Sequence, residues 1–195
     1  MYQPMKPTAL VASVLLLGLS ASAFAQSAGT AARTSRADSP ASTTAAGNHA
    51  GMGKAGDGTF MKRADADGMA EVAMGRLALE KSSNSGVKQL AQRIVDDHTK
   101  ADDQLAALAR SKQVTLPTQP MADARKTADA MRKMNGSAFD EAWAKHMVSD
   151  HQKAIALFSR ESKGGSDADV RNFATATLPV LRTHLQLAQQ LSRNH

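Results

Sequence analysis

Four segments of the chain carry apolar residues at alternating steps of three and four, the spacing that keeps one face of an α-helix against a partner. The clearest of these segments runs from Val87 to Leu108, and its apolar stripe includes His98. A closely similar stretch returns later, because IVDDHTKA at 94–101 is followed by MVSDHQKA at 147–154. His151 therefore takes the position of His98, which predicts two equivalent helices whose histidines face a shared core.

The stripes predict four long helices and one short helix. We expect them from Phe60 to about Ser82 after a Thr59 cap, from Gly86 to about Lys112 after a Ser85 cap, from Met121 to Met134, from Ser137 to about Ser162, and from a Ser166 cap to about Ser192.

The link from Gln113 to Gly136 is long for neighbouring helices of a simple up-and-down bundle, where about two to eight residues are usual. A link of this length can cross the bundle and make the second and third long helices parallel, as in ferritin-like topologies. The expected fold is therefore all-α, a ferritin-like four-helix bundle with a long crossover that carries a short extra helix between helices two and three.

The N-terminal part of the chain has the composition of an export signal and a tether. Residues 1–25 have a basic start, an apolar run and small residues at Ala23 and Ala25, which is typical of a cleavable signal peptide. Residues 26–56 are rich in Ala, Ser and Gly, so we expect a disordered linker there and the bundle domain at 57–195. These features predict a periplasmic protein, and no stretch of the mature chain has the length and apolarity of a transmembrane segment.

The amino-acid composition argues against several classes of function. The formal net charge is +6, but acidic residues are interspersed with the basic ones and the few aromatic residues suit a core, so we expect no nucleic-acid binding. The chain has no cysteine, no Gly-rich phosphate loop and no nucleophile elbow. We therefore expect a protein without catalytic activity, although the sequence leaves an enzyme open.

Each predicted long helix places at most one strongly polar ligand type on its inward stripe. With a rise of about 1.5 Å per residue, Glu71, His98 and His151 fall at one level of the bundle. Imidazole and carboxylate ligands suit a transition metal such as Zn, Fe or Cu. The hypothesis is a single metal held by Glu71, His98 and His151, with His146, His184, Asp97 and Asp150 as outer-shell or additional ligands. The predicted helix ends place His184 about six residues, or roughly 9 Å, from the level of His151.

The same histidines also fit a purely structural role, as neutral hydrogen-bonded side chains that fix the register of the core. In that alternative, the protein is an interaction module of the envelope that binds a protein partner or an anionic lipid surface through its basic helical exterior.

Several motifs resemble one known family in order and spacing. They are VKQLAQRIVDDH at 87–98, VTLP at 114–117, Phe139-Asp140, MVSDH at 147–151 and Leu178-Pro179. These residues resemble an exported bacterial domain-of-unknown-function family with a ferritin-like fold, often labelled as predicted outer membrane proteins. The resemblance implies a four-helix ferritin-like bundle in the cell envelope, associated with the outer membrane by that label. It implies no established reaction and no ligand set.

Overall fold

A computed structural model describes residues 46–194, with side chains described from residue 56 onward. These residues belong to a compact unit, Ser42–His195, and all of their regular structure is helical. The helices are α1 (Ala46–Lys81), α2 (Ser85–Ser111), α3 (Ala122–Arg132), α4 (Gly136–Gly164) and α5 (Ala168–Arg193). The predicted all-α class is confirmed, while the predicted signal peptide and residues 26–45 of the predicted linker lie outside the described part.

Two antiparallel hairpins, α1–α2 and α4–α5, form the bundle. The first hairpin is closely packed where glycines of α1 face α2. A Cβ atom added at Gly75 would lie 2.7 Å from Val95 Cγ2 and 3.0 Å from the backbone oxygen of Ala91. Nearer the start of α1, Gly58 faces Val114 just beyond the end of α2. The two helices therefore run in opposite directions at short separation.

Contacts between α1 and α4 fix the direction of the second hairpin. The indole Nε1 of Trp143 donates a hydrogen bond to the backbone oxygen of Met74 at 3.1 Å. At the other end of the pair, the rings of Phe60 and Phe158 meet edge to face with centroids 5.0 Å apart. α4 is thus antiparallel to α1, so α2 and α4 are parallel, as the long crossover predicts. Helix α3 lies within that crossover and contacts α1 and α4.

The core consists of two apolar clusters at opposite ends of the bundle. One contains Met74, Ile94 and Trp143, and the other contains Phe60, Leu105 and Phe158. Between them lies a polar layer with one side chain from each long helix: Glu71, His98, His151 and His184. A polar layer in the middle of a core must be satisfied by partners or by a ligand, because burying an unpaired polar group is costly.

Helix starts differ from the predicted ones in detail. α1 begins at Ala46 instead of near Thr59, so residues 46–56 of the predicted linker are helical. α2 is capped by Asn84, whose side chain accepts from the backbone N–H groups of Gly86 and Val87, and α5 is capped in the same way by Asp167. The predicted caps Ser85 and Ser166 each lie one residue away, because Asn and Asp compete for the same role. Ser137 is inside α4, whose first turn has no side-chain cap.

The outward faces of the helices are charged and paired. Arg63 bonds to Asp67 one turn further along α1, and Lys112 joins the end of α2 to Asp167 and Asp169 at the start of α5. Among residues 46–194, none of the helices combines the length and the apolar character needed to cross a membrane.

Candidate metal centre

Three histidines from three helices meet in the middle of the bundle. The ring centroids lie 5.8 Å apart for His98 and His151, 5.5 Å for His98 and His184, and 5.2 Å for His151 and His184. Each ring offers one nitrogen, and these three nitrogens all lie within 4.8 Å of one another. We call this group the histidine triad. In the described part of the chain, it is the one cluster of His, Asp or Glu side chains compact enough to hold a metal ion.

The tautomer of His151 follows from its hydrogen bond to the backbone. Its Nδ1 lies 2.9 Å from the carbonyl oxygen of Met147, one turn earlier on α4. A carbonyl oxygen only accepts, so the proton of the neutral ring is on Nδ1. The Nε2 atom therefore carries a free lone pair.

The tautomer of His184 follows in the same way from a carboxylate. Its Nε2 lies 2.9 Å from Asp97 Oδ2 on α2, and Asp97 in turn pairs with Arg93 at 3.5 Å. A carboxylate paired with a guanidinium accepts, so His184 donates from Nε2 and its Nδ1 carries a free lone pair.

The two free lone pairs face each other. His151 Nε2 and His184 Nδ1 are 3.2 Å apart, a hydrogen-bond distance, yet both protons are engaged on the outer sides of the rings. Two nitrogens that each lie about 2.0 Å from one tetrahedral metal are separated by about 3.3 Å. The facing pair thus already has the spacing of two ligands of one ion, and each ring has the outer partner that typically orients a metal-bound histidine.

The third ring adds an unpartnered nitrogen. His98 is partly exposed as a residue, but its Nε2 is buried and has no hydrogen-bond partner. Because nitrogens of the triad are up to 4.8 Å apart, His98 would have to approach the facing pair by roughly 1.5 Å to share an ion with both. Its lack of an anchoring hydrogen bond permits such a movement.

The triad is held in its uncharged form. Burial, and then the neighbouring His151 and His184, lower the pKa of His98 to about 3. Burial and His184 lower the pKa of His151 to about 4. Burial also lowers the pKa of His184, although the Asp97 carboxylate opposes this shift. The rings are therefore neutral at neutral pH, the state in which imidazole binds metals.

Glu71 completes the polar layer from α1. Its Oε1 lies 3.9 Å from Nδ1 of His151, on the side of the ring that faces away from His184, and its Oε2 is buried with no partner. Burial raises the pKa of Glu71 well above its usual range, and the carboxylates of Asp150 and Asp67 raise it further. The structure thus places Glu71 beside the triad and not among its three nitrogens.

The other predicted residues divide into two groups. Asp97 contacts the triad, but it bonds to His184 on α5 and not to its sequence neighbour His98. His146 and Asp150 bond to each other, with His146 Nε2 3.2 Å from Asp150 Oδ2, and neither belongs to the triad.

The predicted depth of His184 is wrong. The sequence places it about 9 Å from the level of His151, whereas Nδ1 of His184 and Nε2 of His151 are 3.2 Å apart. The position of His184 on the apolar stripe of α5 correctly indicated that its side chain faces the core. Its level along the bundle was wrong because the ends of the helices were estimated from the sequence.

Fold and site together define a class: a four-helix bundle that carries a cluster of three neutral histidines in its middle layer. The sequence match identifies the family. Residues 41–191 match the family described as "Domain of unknown function (DUF4142)", and the chain belongs to that family. No curated protein matches the chain.

Solved structures of similar fold share little sequence with this chain. The crystal structure of a DUF305 fragment from Deinococcus radiodurans has a TM-score of 0.64 at 15% identity and covers 72% of this chain and 97% of that one. CopM in its Cu(I)-bound and Cu(II)-bound forms has TM-scores of 0.60 and 0.61 at 17% identity and covers 71% of this chain and 96% of that one. At this level of identity, the similarity shows the shared fold.

Proposed function

We propose that this chain is an exported, non-catalytic protein of the cell envelope that binds one transition-metal ion at His98, His151 and His184. The observation that carries the proposal is the facing pair of lone pairs on His151 Nε2 and His184 Nδ1, 3.2 Å apart. Outer partners fix both tautomers, so no ring proton remains to join the two nitrogens. A cation between them satisfies both, and His98 supplies a third nitrogen.

Copper is the metal that we propose first. Three imidazoles suit copper, zinc and iron, and among divalent ions of this series copper binds a given nitrogen site most tightly. The similar fold of CopM in two copper-bound forms supports the same choice. Zinc and iron are the competitors against which selectivity is to be measured.

Export and association with the envelope rest on the sequence of residues 1–25 and on the label of the family that the chain resembles. We propose a periplasmic location, at or near the outer membrane, with a ferritin-like bundle as the folded domain. A periplasmic bundle without cysteine would hold copper through nitrogen ligands.

The test is the metal stoichiometry of protein purified without a histidine tag. Titration with Cu(II), and with Cu(I) against a chromophoric competitor under anaerobic conditions, is expected to give one ion per chain. Replacing either His151→Ala or His184→Ala is expected to weaken binding at least a hundredfold, since about 2.7 kcal/mol or more is lost when a facing ligand is removed.

His146→Ala is the matched control, because His146 lies on α4 five residues before His151 and bonds only to Asp150. Its copper affinity is expected to equal that of the wild type. Copper-free wild-type protein, or equal losses in all three variants, would contradict the proposal and favour an interaction module with structural histidines. Circular dichroism of each variant establishes that the bundle is intact.

A further inference from the structure

A cavity of about 570 Å³ connects the surface of the bundle to the histidine triad. His98 and His151 line its inner part, whereas Met121 and Lys153, which are exposed, line its outer part. The cavity therefore offers solvent and ions a passage from the α1–α4 side of the bundle to two of the three histidines.

Carboxyl groups of α1 and α4 line this passage, and their side chains are less exposed the closer they lie to the triad. The side chains of Asp67 and Asp150 are 33% and 29% exposed, that of Glu71 is 9% exposed, and that of His151 at the inner end is 1% exposed. Asp67 and Glu71 are one turn apart on α1, so they project from the same face of the helix. An incoming cation would meet a carboxylate at each step of its desolvation.

Glu71 is the innermost of these carboxylates and the one whose role is otherwise unaccounted for. It is nine-tenths buried, it lines the cavity, and its Oε2 has no hydrogen-bond partner. A buried carboxyl group without a partner is destabilising unless a ligand compensates it. A cation that passes along the cavity supplies such a partner next to the triad.

The positive side chains of the passage are engaged near its outer part. Arg63 Nε bonds to Asp67 at 2.7 Å, and Lys153 Nζ bonds to Asp150 at 3.0 Å. His146 also contacts Asp150. None of these groups bonds to Glu71, so the deepest carboxylate is left for an ion from solution.

A second cavity, of about 250 Å³, approaches His98 from the α2–α5 side. Its lining includes Lys100, and its one carboxylate, Asp97, already bonds to His184 and pairs with Arg93. This side offers a cation no unengaged carboxylate, so the α1–α4 cavity is the better route.

We propose that Asp67, Asp150 and Glu71 form an access route that conducts a metal cation from solvent to the triad, with Glu71 as its last stop and not as a resident ligand. This inference rests on the proposed function. It predicts that the carboxylates control how fast the metal enters and leaves, whereas the three histidines control how tightly it is held.

The test is a stopped-flow measurement of Cu(II) uptake and of chelator-driven release. Both are monitored by quenching of the fluorescence of Trp143, the single tryptophan of the chain. In Asp67→Asn, we expect uptake to slow about tenfold at low ionic strength, because charged clefts raise association rates by about 10- to 1,000-fold. We expect a comparable slowing in Glu71→Gln, because its amide cannot give up a proton to become the anionic oxygen partner that the buried Glu71 carboxyl group offers to a cation. Release is expected to slow by a similar factor, because a group that contacts the ion only in transit lowers the barrier in both directions, so the dissociation constant stays within about threefold of wild type.

Asp103→Asn is the matched control, since it removes the same charge from an exposed position on α2 that lines neither cavity. Uptake by Glu71→Gln at the rate of this control would overturn the route. A large loss of equilibrium affinity with faster release would overturn it as well, because Glu71 would then be a ligand. Failure of the wild-type chain to bind copper at equilibrium would instead overturn the proposed function itself.

Discussion

The neutral state of the triad leads to a pH dependence of stability that can be calculated. The pKa is about 3 for His98 and about 4 for His151 in the native protein, against 6.5 as the ordinary value. Below pH 6.5, the unfolded chain takes up protons at these histidines that the native chain does not, so their contribution to stability is complete above pH 6.5 and is lost as the pH falls toward 4 and 3. Between pH 6.5 and 5.5, the loss is about 1 kcal/mol for each of the two histidines.

Some carboxyl groups act in the opposite direction. Burial, followed by nearby carboxylates, raises the pKa of Asp102 to about 7, and burial followed by Asp57 raises that of Glu161 to about 7. These groups contribute stability below pH 7 because the native state binds their protons more tightly. The pH dependence of the free energy of unfolding of the wild type therefore combines the opposing effects of histidines and carboxyl groups. The histidine contribution is obtained from the difference in unfolding free energy between the wild type and a variant that lacks the histidines.

The assay is urea unfolding of metal-free protein in the presence of a chelator, with Trp143 fluorescence as the readout. For the double variant His98→Leu/His151→Leu, we expect the free energy of unfolding relative to wild type to increase by about 2 kcal/mol between pH 6.5 and 5.5. His146→Leu is expected to change this difference less, because Asp150 opposes the lowering of the His146 pKa. Parallel wild-type and double-variant pH profiles would refute the claim that the triad is held neutral.

Three further predictions concern single contacts and metal loading. Asp97→Asn removes the carboxylate that orients His184, and it is expected to weaken copper affinity about 10- to 100-fold, whereas Asp96→Asn, at the exposed neighbouring position, leaves affinity unchanged in the same competition titration. Gly75→Ala places a Cβ 2.7 Å from Val95 Cγ2 and is expected to lower the free energy of unfolding, measured in urea, by about 1–3 kcal/mol. Gly58→Ala is the control: its Cβ would make an ordinary 3.7 Å contact, and it is expected to raise the free energy of unfolding by up to about 1 kcal/mol. Free copper at a hundred times its dissociation constant is expected to stabilise the wild type by about 2.7 kcal/mol in thermal unfolding, and equal shifts in His151→Ala would contradict a site at the triad.

The architecture could be predicted because it follows from periodicity within each helix. The stripe around Val87–Leu108 requires only local sequence, and the same holds for the choice of Glu71, His98, His151 and His184 as the inward polar residues. The parallel arrangement of α2 and α4 followed from the length of one link. None of these inferences depends on knowing where two helices touch.

The depth of His184 could not be predicted because it depends on the ends of two helices and on the turn between them. With the observed ends at Gly164 and Ala168, His151 lies 13 residues before the turn and His184 lies 16 residues after it. The difference of three residues corresponds to about 4.5 Å, half of the value estimated from the predicted ends. Side chains and the geometry of the turn span the rest.

Partner choice at the site was also beyond the sequence. Asp97 is adjacent to His98 along the chain, yet it bonds to His184 from another helix, because neighbouring residues on a helix point about 100° apart. The tautomers of His151 and His184 depend on such cross-helix and backbone contacts. The same limit applies to caps, where Asn84 and Asp167 act in place of the serines next to them.

The most direct test of the central claim is ¹⁵N NMR of the histidine rings during titration with a diamagnetic ion, Cu(I) or Zn(II). We expect the metal-free protein to show protonated Nδ1 in His151 and protonated Nε2 in His184. One equivalent of metal is then expected to shift Nε2 of His151, Nδ1 of His184 and one nitrogen of His98 together, and to leave His146 unchanged. Opposite tautomers in the metal-free protein, or shifts confined to histidines outside the triad, would contradict a metal site in the middle of this bundle.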